Sequence, residues 1–196
     1  MSADLVRFTY VGCGKAKREI DGHPNHAKNQ YPAAALYTSN YFALKRRYAE
    51  RASESWWILS AKHGPIHPFV RLKHYDVTMS DYPIEGGNAP FETIENWAEH
   101  VVEQVGVAVR RYQEQDEADA VDEIVMLAGK DYLDPVRDGL SAIADEFDLM
   151  IRYPFDDTSG IGEQMAWLKN QTDHSAPVSP RYRHIFTDEI REVTDQ

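Results

Sequence analysis

Four short apolar runs, each ending in a polar cluster and separated by amphipathic helical patterns, constrain the fold of this chain more than any other feature. Leu5, Val6, Phe8, Tyr10 and Val11 stop at Gly12-Cys13-Gly14 and predict a strand over 4–12. Trp56, Trp57, Ile58 and Leu59 predict a second strand, ending at Ser60-Ala61-Lys62-His63-Gly64. Ile124 to Ala128 predict a third, stopping at Gly129-Lys130-Asp131, and 149–153 a fourth. Between them lie helical spacings. Asn40 is placed to cap a helix carrying Phe42, Leu44 and Tyr48 to about Ala52. Pro90 is placed to start a long helix with Phe91, Ile94, Ala98, Val101, Val105 and Val109 on one side. Leu133, Val136, Leu140, Ile143 and Phe147 mark another, and Ile161, Met165 and Leu168 a last. Buried strands alternating with such helices predict an α/β fold, a mostly parallel sheet of about four or more strands with helices on both faces, in a Rossmann-like three-layer arrangement.

The rest of the chain lacks periodicity. Lys15 to Pro32 reads as a long surface loop, residues 65–90 as irregular structure wrapping over the second strand tip, and 114–122 as an acidic connection. From Thr172 onward the composition is polar. The 196 residues suit one core, so a single domain is expected over 1–172 with a polar tail over 173–196. No run approaches the roughly 20 apolar residues of a membrane helix, and Met1-Ser2-Ala3-Asp4 leads directly into the first apolar run. The expectation is a cytoplasmic protein with no membrane partner.

Charge narrows the partners. Thirty-two acidic against 21 basic residues give a net charge of −11, which repels nucleic acid at long range and argues against non-specific coating of DNA. Arginines outnumber lysines, and with the acidic excess this suggests a halophile-like acidic surface, whose repulsion high salt would screen. Local basic contact with a nucleic acid therefore stays open. Cys13, the single cysteine, can form neither an internal disulfide nor a cysteine-based zinc site.

In a parallel sheet, ligands sit outside the carboxyl ends of the strands. The clusters at Cys13, Ser60 and Gly129 all follow such ends and should meet on one rim. Gly12-Cys13-Gly14-Lys15 with Lys17 offers turn amides, a thiol and two cations, which suit a phosphate or carboxylate. Its glycine spacing is too short for a P-loop. A Cys13 activated by Lys15 or a histidine would be a nucleophile; a glycine turn with a buried thiol is the plainer reading. Lys62 could hold an anion and His63 move a proton near neutral pH, with Ser60 and Gly64 beside them, against the alternative of a polar turn. In His74-Tyr75-Asp76, Asp76 could orient a histidine or bind a sugar hydroxyl. Lys130 sits at the third strand tip.

Eight histidines raise the question of metal, but His23 and His26 lie in a loop with Pro24 and no adjacent acid pair, so no metal site is expected. The sequence leaves any cofactor unknown. Trp97, Trp167 and the helical tyrosines read as core, and Trp56 and Trp57 point to opposite faces of their strand.

The ordered set Gly12-Cys13-Gly14-Lys15-Ala16-Lys17, Ala35-Leu36-Tyr37-Thr38-Ser39, Tyr48-Ala49-Glu50, Trp57 to Gly64, His74-Tyr75-Asp76-Val77-Thr78 and Ile161 to Leu168 resembles the domain-of-unknown-function family 6884 over residues 5–170. More distantly, the Cys-x-Lys loop, the glycine-containing strand end and the Tyr-Asp pair are similar to YaaA-type peroxide-stress proteins and to a domain of archaeosine-synthase-like enzymes. The chain departs from the family pattern at Pro65 and His74. The resemblance adds Ser39 to the candidate ligand-binding residues and Tyr75 beside Asp76, and implies nucleic-acid or modified-base biology.

Together these features predict a protein that binds or acts on a nucleotide, nucleoside or modified nucleobase, by N-glycosidic or base-modification chemistry. Cys13, His63 and Asp76 are the catalytic candidates; Gly12, Gly14, Lys15, Lys17, Ser39, Ser60, Lys62, Gly64, Tyr75 and Lys130 are the ligand-binding candidates. The alternatives are a non-catalytic nucleic-acid-binding or oxidative-stress-response protein, and a structural or interaction module.

Overall fold

Alternation along β1 (Arg7–Gly12) sends Phe8 and Tyr10 to one face of the sheet and Val11 to the other, so both faces need cover. The computed structural model, which describes residues 5–18, 30–84, 90–115 and 120–173, supplies it from helices on each side. The strands are β1, β3 (Ser55–Ser60), β4 (Gly64–Ile66), β6 (Glu123–Leu127) and β7 (Met150–Arg152), in the order β4-β3-β1-β6-β7. All neighbours run parallel except β3 and β4, which are antiparallel. The expected α/β class with a mostly parallel sheet is what the chain forms. A two-stranded antiparallel pair, β2 (Tyr31–Pro32) with β5 (Arg71–Leu72), stands apart from this sheet.

On one face lie α1 (Ala33–Leu36), α2 (Asn40–Ala52) and α6 (Ile161–Asp173), burying Phe42, Tyr48 and Leu168 against Val11, Trp56, Ile58 and Leu127. On the other, α3 (Ile94–Gln115) and α5 (Arg137–Phe147) bury Trp97, Val101, Val105 and Leu140 against Phe8, Tyr10, Leu59, Ile124 and Met126. At the amino ends of the strands, buried Glu123 pairs with Arg7, whose guanidinium also donates to the Ala52 carbonyl at 3.0 Å.

Several boundaries differ from the sequence reading, for local reasons. The cap of α2 is Ser39, one residue before Asn40; its hydroxyl accepts from the Phe42 amide at 3.1 Å. The long helix begins at Ile94 rather than Pro90, because Thr93 accepts from the Asn96 amide at 3.2 Å and closes the first turn. Pro135 divides the next helix: a short α4 (Lys130–Leu133) and a 3-10 turn (Asp134–Val136) precede α5. Within the 65–90 stretch, Pro65 pairs with Leu59 as part of the edge strand β4. Thr172 is buried in the last turn of α6, its hydroxyl donating to the Leu168 carbonyl at 2.9 Å. His23, His26 and residues 174–196 lie outside the described residues.

No helix among the described residues is long and apolar enough to cross a membrane.

Candidate functional site

β1 has β3 on one side and β6 on the other, and the chain reaches them by helices on opposite faces of the sheet. The connections therefore diverge at the carboxyl end of β1, which opens a crevice there. Cys13 sits at its mouth. Its amide donates to the Leu59 carbonyl at 3.0 Å, carrying the β1–β3 pairing one residue past the strand. Gly12 permits this approach to β6, since a Cβ there would lie 3.0 Å from the Cβ of Ala128 and 3.2 Å from its Cα.

Three tyrosines line the crevice. The Cys13 thiol lies 3.2 Å from the hydroxyl of Tyr132 on α4. The Tyr75 hydroxyl meets that of Tyr37 and stands 2.7 Å from Ser60 Oγ. Ser60 Oγ in turn accepts the backbone amides of Lys62 at 3.1 Å and His63 at 3.2 Å, which holds the strand-end turn. Its carbonyl accepts from the Trp97 indole at 2.9 Å, tying the turn to α3. The His63 ring stands edge-on to Tyr75, with centroids 5.0 Å apart at 85°.

Positive charge converges on the same place. Lys17 is 8% exposed, its ammonium 4.6 Å from the centre of the Tyr75 ring and 5.9 Å from that of Tyr37. Lys62 approaches the Tyr75 ring at 5.7 Å. Lys45 is 3% exposed; its ammonium donates to the Gly12 carbonyl and lies 4.5 Å from the Tyr41 ring centre. Among the described residues no carboxylate comes within ion-pair distance of Lys17 or Lys45. Cation–π contact and two carbonyls, that of Lys15 at 3.4 Å from the Lys17 ammonium and that of Gly12, offset part of the desolvation of two ammonium groups, but a full countercharge is what such a site favours.

The electrostatics follow from this crowding. Burial lowers Lys45 to about 8, and negative charge at Cys13 would raise it again. Lys17 is also lowered by burial, against opposing contributions from Cys13 and Asp76. His63 is lowered by burial and then by the Lys62 ammonium, so it is neutral at pH 7. Tyr75 and Tyr132 are raised by burial and by Cys13, which keeps both hydroxyls protonated as donors.

Among the residues singled out from sequence, Gly12, Cys13, Lys17, Ser60, Lys62, His63 and Tyr75 therefore come together. Ser39 lies beside Gly14, its Oγ 3.2 Å from where a Cβ would stand. Gly64 turns the chain into β4 at φ +67°. Lys15, Asp76 and Lys130 are exposed at the edge, Asp76 close enough to act on Lys17. His74 is exposed and outside this set of contacts. No group of three or more potential metal ligands gathers among the described residues.

Lys45, Tyr37 and Tyr132 were not singled out from sequence. Lys45 had a signal: it falls on the buried stripe of α2, three residues after Phe42 and three before Tyr48. Tyr132 had none beyond its nearness to the third strand tip.

A family model described as a family of unknown function (DUF6884) matches residues 9–170. The uncharacterised protein YfjM of Bacillus subtilis (strain 168) is 28% identical over 173 residues, covering 86% of this chain and 97% of that protein. No solved structure matches.

Proposed function

The chain belongs to the DUF6884 family of unknown function, and we propose that its rim binds, and acts on, an anionic nucleotide, nucleoside or modified nucleobase. One observation carries this reading: two buried lysines, Lys17 and Lys45, face the Cys13 turn without a carboxylate partner among the described residues. A phosphate or an ionised base would complete them, and the donors at Tyr75, Tyr132 and Lys62 would add hydrogen bonds. The tyrosine rings favour a planar ligand over a compact inorganic one. The distant resemblances seen in the sequence lean toward the same ligand class.

The chemistry assigned to the site is a proton transfer at a glycosidic or base nitrogen. Water attacks C1′ as the C1′–N bond to the base breaks, and His63, neutral at pH 7, takes the proton from that water and returns it to the departing base nitrogen. Asp76 holds a ribose hydroxyl at the edge, and Cys13 faces the reacting atoms.

A thermal-shift panel of nucleotides, nucleosides and modified bases, at low and high salt, tests the reading on the wild type beside Lys62→Ala. Stabilisation by one ligand class, weakened in the variant, supports it. Turnover lost in His63→Ala would establish the catalytic half, whereas binding without turnover would leave a non-catalytic binder. If no ligand of the panel shifts the midpoint at either salt concentration, the reading fails.

A further inference from the structure

The two kinds of cation in this chain are divided by place. There are eight lysines and 13 arginines. The ion pairs at Arg7, Arg46, Arg110, Arg137 and Arg152 all use arginine, whereas no described lysine comes within ion-pair distance of a described carboxylate. Five of the seven described lysines instead gather at the rim. Lys17 and Lys45 are buried in its inner wall. Lys15 and Lys130 are exposed and Lys62 is half-exposed at its mouth, one just beyond each tip of β1, β6 and β3.

Those three strands are neighbours in the order β3-β1-β6. At roughly 4.8 Å per strand, the mouth lysines follow a row about 10 Å wide, more than a single phosphate spans. Three exposed carboxylates share this edge: Asp76 within electrostatic reach of Lys17, Asp81 within reach of Lys15, and Asp131 next to Lys130. Five ammonium groups against these three leave the rim locally positive in a chain whose net charge is −11. Salt screens the distant acidic surface more than it screens ammonium groups in contact with a ligand. Behind the row, Cys13 and Tyr132 are only half-buried, so the crevice is open to what the lysines hold.

Resting on the nucleotide reading above, we propose that the ligand is one nucleotide within a single strand of nucleic acid, its base turned into the crevice toward Cys13 and Tyr132 and its neighbouring phosphates lying along Lys62, Lys15 and Lys130. A free nucleotide leaves the outer lysines unmatched. A duplex brings twice the charge per length against the acidic surface, and reaching one of its stacked bases costs unstacking.

Fluorescence anisotropy of a short labelled single strand, as DNA and as RNA, with a nucleoside monophosphate as competitor, tests this on the full chain between about 50 and 200 mM salt. At least one strand should bind tighter than the monophosphate. Three lysine–phosphate contacts predict a slope of about −2 in log affinity against log salt. Lys15→Ala and Lys130→Ala, at exposed positions, should each make that slope shallower by about 0.7 and weaken the strand more than the monophosphate. Strands that bind no tighter than the monophosphate, or a salt slope unchanged in both variants, would overturn the proposal and leave nucleotide binding at the rim intact. If neither the strands nor the monophosphate bind, the proposal falls together with the reading it rests on.

Discussion

The Cys13 thiol and the Tyr132 hydroxyl stand 3.2 Å apart although 119 residues separate them in the chain. Cys13 follows β1 and Tyr132 lies on the helix after β6, so the contact bridges the point where the chain's connections diverge. It joins the two sides of the crevice.

Tyr132→Phe removes that bridge without changing the ring. The expected cost is about 1 kcal/mol by denaturant titration, the usual worth of one partly buried hydrogen bond. Alkylation of Cys13 should slow, because a sulfur anion there loses its nearest donor.

Lys45 makes stability and binding oppose one another. Burial puts its titration at about 8 in the folded chain against the ordinary lysine value of 10.5. Between those values the unfolded chain binds more protons, so stability rises with pH across that window, and anion affinity falls across it. Lys45→Met should flatten both profiles and raise stability at pH 7 by about 1–2 kcal/mol while anion binding is lost. Thermal midpoints from pH 7 to 10.5, with and without ligand, read both effects.

His63 is held below the usual histidine range by burial and by Lys62. As a base it must be neutral, so the acid limb of any pH–rate profile should fall below 6.5, the ordinary histidine value. Lys62→Ala removes the neighbouring charge and should move that limb upward. Turnover should drop about 10²- to 10⁴-fold in His63→Ala.

Two glycines of the rim should behave differently. A Cβ at Gly12 meets Ala128, including its backbone, so Gly12→Ala should cost about 1–3 kcal/mol. At Gly129 a Cβ meets nothing within 4 Å, and Gly129→Ala should stay within about 0.5 kcal/mol of wild type. Paired urea titrations compare them.

The layers were legible because period-two and period-3.6 burial leave different residue patterns, as at Phe8 and Tyr10 on β1 and Val101, Val105 and Val109 on α3. The edge strand was not. Gly64-Pro65-Ile66 is short and contains proline, tolerated because only one side of the strand is paired. Within the site, the strand-tip rule brought Cys13, Ser60 and His63 together in advance. The rule could not reach Tyr132, whose hydroxyl arrives from a short helix, nor weigh Lys45, whose burial depends on α2 packing over Gly12. Asp76 was read as an equal member, yet local chain direction places buried Tyr75 inward and leaves Asp76 at the exposed edge.

The most direct test of the central claim is calorimetric titration of nucleoside monophosphates and orthophosphate into the wild type and Lys17→Met at pH 7. The account predicts saturable one-to-one binding of at least one nucleoside monophosphate, tighter than orthophosphate and weakened about tenfold or more when the buried ammonium is removed. Absence of binding in the wild type, or equal affinity in Lys17→Met, would contradict it.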